Sequence, residues 1–378
     1  MSTDQLAKDE SAIATSTLAD QLAERIRREG PITFCAWMEA ALYHPTEGYY
    51  CKAGRKRWGR EGDYRTSPER SELFAATFGR YFARLYDELQ RPPEWTIVEI
   101  GGGDGHFARG LLQSLQEHCP DAFSACRYVV DEASIISRQH AEKRIAQFSD
   151  RIQFESLHNL NRIDAGIIFS NELLDAFPVH RLTKKEGKVF ELYVTTVDEK
   201  FVWKLGPLST PRLSEYYSEY GTEPAEGQII EINLAIETWL ANVAEKLKAG
   251  YLITVDYGAE TRELHTDPAR SQGTLRAYYQ HQFVDDVLTR PGELDLTTTI
   301  DWAYVKRSGE RFGFEAVEFS KQDKFLLQAG LLEELVRQTD KAESEAEKLQ
   351  FRINAREMIL PGGMGSSFQV LVMKRLTT

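Results

Sequence analysis

The fold of this chain is constrained most by a short apolar run followed by three glycines at alternate positions. The run, residues 96–100, has the pattern of a buried strand, and Gly101, Gly103 and Gly105 follow it. Residues 106–115 then carry apolar side chains at helical spacing. A strand, a glycine turn and a helix open the nucleotide-binding unit of α/β proteins, because glycine allows a tight turn and a close approach of ligand to backbone. The pattern therefore predicts an α/β fold with a ligand at this turn.

Two acids, Glu99 and Asp104, flank the glycines. A dinucleotide fingerprint has its third glycine one residue later, and an acidic loop suits a cation better than a pyrophosphate. Both points argue against a nicotinamide oxidoreductase. The pattern acid-apolar-Gly-x-Gly-x-Gly resembles motif I of class I methyltransferases, whose cofactor is the sulfonium S-adenosylmethionine, with Glu99 accepting hydrogen bonds from a ligand amine or hydroxyl. The alternative is a tight strand–helix turn that binds nothing.

A second strand is predicted over residues 127–130, and it ends in Asp131 and Glu132. In nucleotide-binding α/β folds an acid at this position holds the ribose hydroxyls. We favour Glu132 for that role, with Asp131 as the alternative. Either acid is also compatible with an ordinary place in the first turn of a helix.

A clear fourth strand, residues 165–170, runs into Asn171, Glu172, Asp175 and His180. Polar groups directly after a central strand lie at the carboxyl edge of the sheet, where open α/β sheets bind ligands. Strands alternate with helices along the chain, which predicts a mainly parallel, seven-stranded sheet covered on both faces. We divide the chain into an N-terminal helical region covering the cofactor site, residues 1–90, and a core, residues 91–378, with insertions near 185–230 and 259–300.

Composition excludes some classes of partner. The formal net charge of −12 disfavours nucleic acid bound through phosphates and favours cationic ligands and basic protein segments. Apolar runs stay short of the ~18 residues that span a bilayer, and the N-terminus lacks a signal-peptide core. The four cysteines show no metal-type spacing, so no metal site is predicted. A cytoplasmic protein, with a homodimer as an option, is the expectation.

Seven separated stretches, in order, resemble the MidA/NDUFAF7-like family of S-adenosylmethionine-dependent methyltransferases. They are GPITFCAWMEAALYHPTEGYY, GDYRTSPE, VEIGGGDGHFARGLL, NELLDAFPVH, LITVDYG, GTLRAYYQH with PGELDLTTTIDWAY, and MGSSFQVLVMKR. The resemblance implies a Rossmann-like class I methyltransferase sheet with added N-terminal helices. It also implies symmetric dimethylation of a protein arginine, at least in the mitochondrial members, and that Thr66 and Ser67 close over the cofactor. From the residues alone, Ser67 before Pro68 is a helix N-cap.

For an arginine acceptor, a pair of carboxylates can hold the guanidinium bidentately. Glu172 and Asp175 are the candidates, with Asn171 orienting the substrate and His180 taking the proton. Two alternatives remain open: a small-molecule methyltransferase, and a non-catalytic assembly factor that binds S-adenosylmethionine or nothing.

Overall fold

The computed structural model describes residues 17–52, 72–280, 282–360 and 367–375. The strands are β1 (Ile32–Thr33), β2 (Trp95–Ile100), β3 (Cys126–Asp131), β4 (Ile152–Phe154), β5 (Gly166–Asn171), β6 (His180–Lys185), β7 (Lys188–Val197), β8 (Lys200–Gly206), β9 (Ile229–Ile232), β10 (Gly250–Ala259), β11 (Arg276–Tyr279), β12 (Gln282–Phe283), β13 (Asp295–Thr297), β14 (Ile300–Asp301), β15 (Phe314–Lys321) and β16 (Phe368–Arg375). The helices are α1 (Leu18–Glu29), α2 (Phe34–Tyr43), α3 (Glu72–Glu88), α4 (His106–His118), α5 (Pro120–Ala125), α6 (Ile135–Arg144), α7 (Pro211–Tyr220), α8 (Ala235–Lys246), α9 (Thr261–Thr266), α10 (Trp302–Arg311), α11 (Gln322–Ala329), α12 (Leu331–Lys341) and α13 (Glu345–Ile359). None of these described helices is long and apolar enough to cross a bilayer.

The central sheet has the strand order β4-β3-β2-β5-β10-β16-β15, and short β14 pairs with the end of β10. The pairs from β4 through β10 are parallel, whereas β16 runs antiparallel to both of its neighbours. This confirms the prediction of a mainly parallel central sheet; β14 joins the path of seven strands as an eighth strand. The parallel strands bring their carboxyl ends to one edge, which is the edge that the glycine turn and the residues after β5 occupy.

Strand β2 lies between β3 and β5 inside the sheet and is buried on both faces. Its side chains alternate, so Ile97 packs with α3, α4 and the C-terminal helices α11–α13, while Val98 packs with α8 and α10 on the opposite face. Phe107 of α4 stacks on Phe169 of β5, with the ring centroids 4.2 Å apart. Burial of each such side chain stabilises the fold by about 2 kcal/mol, which holds the glycine turn between fixed elements.

A second, antiparallel sheet follows the order β1-β7-β6-β9, with β8 paired to β7. The β7–β8 hairpin lies within the insertion predicted near residues 185–230. Strands β6 and β9 and the pairing of β1 with β7 were not predicted. Together with α1 and α2, this sheet encloses a separate apolar cluster that includes Trp37 and Val194. The division into residues 1–90 and 91–378 stays a prediction.

Candidate active site

A cavity of about 1300 Å³ lies at the carboxyl edge of the central sheet. The ends of β2, β3, β5 and β10 contribute to its wall, as do segments from α2 to β16. Among its described lining residues are nine acids but only four arginines and lysines. The cavity is therefore electronegative, as expected for a site that takes cationic ligands. In the described part of the chain, no group of three or more His, Cys, Asp and Glu side chains is arranged to hold a metal ion.

The glycine turn needs glycine for two reasons. Gly101, Gly103 and Gly105 have positive φ angles of 73°, 55° and 83°, in the left-handed region that other residues seldom adopt. Gly102 needs to be small, since a Cβ there would lie 2.6 Å from Val130 Cγ1. Glycines 101, 102 and 103 line the cavity, so the turn presents backbone without side chains to it.

Glu99 stands at the end of β2 with a side chain that is almost fully buried. Burial raises the pKa of its carboxyl to about 8, although a hydrogen bond from the Tyr128 hydroxyl, 2.8 Å from Glu99 Oε2, partly offsets this effect. Nearby Glu132 and Asp104 raise the pKa further. A carboxyl of this kind ionises readily only when a cation arrives beside it, and Glu99 lines the cavity where such a ligand would lie.

The two acids at the end of β3 have different partners. Glu132 Oε2 accepts from the Gly103 backbone N–H at 2.8 Å, and Oε1 accepts from the Ser134 N–H at 2.6 Å. Asp131 Oδ2 instead accepts from the Leu157 N–H at 2.8 Å, which ties that carboxylate to the segment after β4. Both acids line the cavity, and both contact the glycine turn: Asp131 through its backbone carbonyl, which accepts from the Gly101 N–H at 2.8 Å, and Glu132 through its carboxylate. The geometry favours Glu132 as the ribose ligand.

The predicted residues after β5 come together at the cavity wall: Asn171, Glu172 and Asp175 all line it. Glu172 has a φ of 50°, a left-handed conformation that costs a non-glycine residue on the order of 1 kcal/mol or more. Its N–H donates to the Val255 carbonyl at 2.9 Å, which holds the strained backbone in place. The Asn171 amide nitrogen donates to Glu172 Oε1 at 3.2 Å. Asn171 Oδ1 is buried without a hydrogen-bond partner among the described residues, so it is available to a ligand donor.

Hydrogen bonds fix both the side chain of Asp175 and the turn in which it lies. Its Oδ2 accepts from the Thr297 hydroxyl at 2.8 Å, and that hydroxyl also bonds to the Tyr257 hydroxyl. Fully buried Asp256 Oδ2 accepts from the N–H groups of Leu174 at 3.0 Å and Asp175 at 3.3 Å, which fixes the turn. Burial is the main cause that raises the pKa of Asp175.

The prediction that His180 takes a proton from the substrate is wrong. His180 is not among the residues that line the cavity, because β6 begins there and leads the chain into the second sheet. Its Nδ1 lies 2.7 Å from Glu191 Oε1. Although burial lowers it, hydrogen bonds to Cys35 and Glu191 raise the pKa of His180 to about 9, so the ring is already protonated near neutral pH.

Sequence reasoning missed the aromatic and acidic side chains that other segments bring to the cavity. The Tyr43 hydroxyl donates to the Ala176 carbonyl at 3.0 Å, and the Tyr50 hydroxyl donates to Asp295 Oδ1 at 3.2 Å. Tyr257 and Tyr278 also line the wall. The only signal in the sequence was that these residues fall within the stretches that carry the family resemblance. Thr66 and Ser67 lie outside the described residues.

The donor end of the cavity fits S-adenosylmethionine. Glu132 would accept from the ribose hydroxyls, Glu99 would face a cationic group, and the glycine backbone leaves room between them. The sheet order and this site define a class I S-adenosylmethionine-dependent methyltransferase. The family model described as "Putative S-adenosyl-L-methionine-dependent methyltransferase" matches residues 77–320, and the chain belongs to that family.

A crystal structure from Burkholderia thailandensis, bound to S-adenosyl-homocysteine, aligns with a TM-score of 0.84 at 27% identity, over 100% of this chain and 95% of that one. The mitochondrial protein arginine methyltransferase NDUFAF7 homolog of Drosophila melanogaster is 28% identical, over 79% of this chain and 71% of the relative. The protein arginine methyltransferase NDUFAF7 of Mus musculus is 25% identical, over 93% and 83%. These likenesses support S-adenosylmethionine as the cofactor of this enzyme.

Proposed function

We propose that the enzyme methylates an arginine side chain in a basic segment of a protein. The observation that carries this proposal is the pair Glu172 and Asp175, which line the same cavity as the glycine turn. The curated relatives named above are called protein arginine methyltransferases, which supports the same acceptor.

The donor end binds and orients. S-adenosylmethionine, when bound, supplies an electrophilic methyl group on a sulfonium. Glu132 would hold the ribose hydroxyls, Glu99 would face the positively charged part of the ligand, and Gly101 and Gly103 would lie against it. The rate gain expected of such a site comes from holding donor and acceptor in line.

The acceptor end would receive a guanidinium. An arginine is charged at any accessible pH, and its planar fork of N–H donors matches carboxylates. Glu172 and Asp175 would accept from it and keep its charge on the nitrogens that do not react. The Asn171 Oδ1, buried without a partner among the described residues, would accept a further N–H.

Asp175 would also take the proton that the guanidinium loses as the methyl arrives. Burial raises the pKa of this carboxyl, which makes it a stronger base than an exposed aspartate. The hydroxyl of Thr297, 2.8 Å from Oδ2, keeps the carboxylate in one orientation. His180 has no part in this step.

The electronegative wall favours a basic substrate over a neutral one. Glu260, Glu263 and Asp295 add to the negative charge of the cavity beyond the residues already assigned. The negative field would strengthen the binding of a segment with several arginines. A small apolar acceptor would bind more weakly, because it would leave the carboxylates desolvated and unpaired.

The test is incubation of the purified protein with methyl-labelled S-adenosylmethionine and arginine-rich peptides, followed by amino-acid analysis of the product. Methylarginine, and no transfer to the same peptides with lysine in place of arginine, is the expected result. Transfer only to a small molecule or to lysine would refute the arginine acceptor while leaving the methyltransferase assignment intact.

The role of Glu172 has a matched control in the same chain. Glu199 also has a left-handed backbone, with φ 63°, but it lies in the turn between β7 and β8, away from the residues that line the cavity. Glu172→Gln should leave the affinity for S-adenosylhomocysteine within about twofold and lower kcat by about a hundredfold or more, the scale seen when a group acting in the transition state is removed. Glu199→Gln should change neither. Wild-type turnover in Glu172→Gln would remove Glu172 from the mechanism.

A further inference from the structure

One corner of the cavity is lined by hydrogen-bond donors, unlike the acidic wall around it. It lies where β15 ends beside the start of β16, and it consists of Lys321, Lys324 and Gln369, which all line the cavity. We call these three residues the donor corner. Lys321 is directly opposite Gln369 in the β15–β16 pairing. Directly opposite residues extend their side chains to the same face of a sheet, with Cβ atoms about 5 Å apart, so these two side chains are neighbours.

The Gln369 amide is oriented so that its nitrogen remains as a donor. Gln369 Oε1 accepts from the Gly258 N–H at 2.9 Å and from the Trp302 Nε1–H at 2.9 Å. A backbone N–H and an indole N–H can only donate, so the oxygen must be the atom that faces them, and Nε2 is left to donate to a ligand. Ser320, directly before Lys321, also lines the cavity, and its Oγ is buried without a hydrogen-bond partner among the described residues.

The two lysines give the donor corner a positive charge. Lys321 is the N-cap residue of α11 and Lys324 lies three residues later, so the two side chains lie on the same side of the first turn. Asp323, between them, is not among the residues that line the cavity. Glu260 does line it, but Lys306 Nζ pairs with Glu260 Oε1 at 2.6 Å. The donor corner therefore presents positive charge to one end of an otherwise acidic cavity.

The strand order sets the distance between the donor corner and the acceptor end. The central sheet runs β5-β10-β16-β15, so three strand spacings separate the end of β5, which Glu172 and Asp175 follow, from the end of β15. At about 4.8 Å each, these spacings add up to about 14 Å. An extended peptide rises by about 3.4 Å per residue, so about four residues span this distance. Side chains four residues apart on an extended peptide also point to the same face.

We propose that the donor corner binds a side-chain carboxylate of the protein substrate, about four residues from the arginine that is methylated. This inference rests on the proposed function, because the spacing is counted from the arginine site. Lys321 Nζ and Gln369 Nε2 would each donate to the carboxylate, and Lys324 would add a second ammonium. A carboxylate carries one negative charge, which the surrounding acids repel less than the charge of a phosphate. The preferred substrate thus combines a basic target residue with an acid at a set distance.

The test measures the binding of fluorescent peptides to the protein loaded with S-adenosylhomocysteine. Each peptide has one arginine and one glutamate, placed two, four or six residues away on either side, and a partner peptide has glutamine in place of the glutamate. At four residues on one side, the glutamate peptide should bind about tenfold more tightly than its partner, the scale of one hydrogen bond to a charged group. Equal Kd values for every glutamate–glutamine pair, or no binding of any peptide, would overturn the proposal.

Variants identify the residues that recognise the acid. Lys321→Gln and Lys324→Gln should each lower the tenfold preference to about threefold or less, and the double variant should abolish it. Lys200→Gln is the matched control and should keep the full preference, since Lys200 is exposed on β8 and does not line the cavity. Circular dichroism establishes which variants are folded. A folded double variant with the wild-type preference would overturn the proposal, and the wild-type comparison decides it if that variant does not fold.

Methylation of the same peptides separates this inference from the proposed function. A glutamate preference in binding without any methylarginine would refute the arginine acceptor and leave the carboxylate site in place. Methylarginine formation without a glutamate preference in binding would refute the carboxylate site and leave the arginine acceptor in place.

Discussion

Cofactor affinity should depend on pH through Glu99. Burial raises the pKa of this carboxyl to about 8 in the free protein, so only about a tenth of it is ionised at pH 7 and about a hundredth at pH 6. A bound cation favours the ionised form, and therefore lowers the pKa of Glu99 in the complex. Binding must then release a proton, and affinity must rise with pH until the free protein is itself ionised.

The size of the effect follows from those fractions. If the pKa of Glu99 in the complex falls below 6, the Kd for S-adenosylmethionine should be about tenfold larger at pH 7 than its limiting value at high pH, which is about 1.4 kcal/mol. At pH 6 it should be about a hundredfold larger. Above pH 8 the affinity should become constant.

Isothermal titration calorimetry at pH 6, 7 and 8.5 measures both quantities. Repeating the titration in buffers of different ionisation enthalpy gives the number of protons that binding releases. This number should approach one per ligand at pH 7. Glu99→Gln provides the control, since its neutral amide keeps the shape of the side chain and any remaining pH dependence belongs to the ligand amine or to other groups. An affinity that is independent of pH in the wild-type protein, or equally dependent in Glu99→Gln, would refute this reasoning.

Two further predictions concern packing and proton transfer. Gly102→Ala places a Cβ 2.6 Å from Val130 Cγ1, so it should weaken S-adenosylhomocysteine binding and destabilise the fold by about 1–3 kcal/mol. Adding Val130→Ala to this variant should restore most of the affinity. Wild-type affinity in the Gly102→Ala variant alone would contradict the close packing. The Thr297 hydroxyl bonded to Asp175 Oδ2 lowers the pKa of that carboxyl. Thr297→Val removes this hydroxyl and so raises the pKa, and the acid limb of kcat/KM should move to higher pH by about one unit. Thr298→Val is the matched control, because that hydroxyl faces the Asp175 carbonyl rather than its carboxylate, and an unshifted limb in Thr297→Val would exclude Asp175 as the base.

Local patterns were enough to predict the parallel strands of the central sheet that carry the site. The apolar run of β2, the glycines and the polar residues after β5 each lie within a few residues of one another, and parallel strands bring such loops to one edge. Strand β15 was not predicted, because its sequence has only a weak apolar pattern. Most of its residues are exposed or half-exposed, and charged side chains such as Glu315 and Glu318 interrupt the apolar ones. An edge strand of this kind has little of the hydrophobic period that identifies a buried strand.

The second sheet could not be predicted from local patterns, because its pairings join distant segments. Strand β1 pairs with β7, about 160 residues later in the chain, and β6 pairs with β9 across the intervening hairpin. The placement of His180 was wrong for the same reason. His180 follows the site residues in sequence, but it is the first residue of β6 and lies in the second sheet. A long-range contact also distinguishes Asp131 from Glu132, since the N–H of Leu157 that donates to the Asp131 carboxylate lies beyond β4.

The site residues differ in the same way. Glu99, Gly101, Gly103, Gly105 and Glu132 belong to one strand–turn–helix unit and its neighbouring strand, so their common placement follows from the motif. The tyrosines at the acceptor end come from α2, the segment after it, β10 and β11, and no periodicity links those positions. Their convergence is a property of the tertiary fold.

A crystal structure of the protein with S-adenosylhomocysteine tests the central claim most directly. The ribose hydroxyls should lie within hydrogen-bond distance of the Glu132 carboxylate, the amino-acid end should lie against the backbone of Gly101 to Gly103 near Glu99, and the sulfur should face Glu172 and Asp175. Density for the ligand elsewhere in the cavity, with its ribose hydroxyls beyond hydrogen-bond distance of the Glu132 carboxylate, would contradict the assignment.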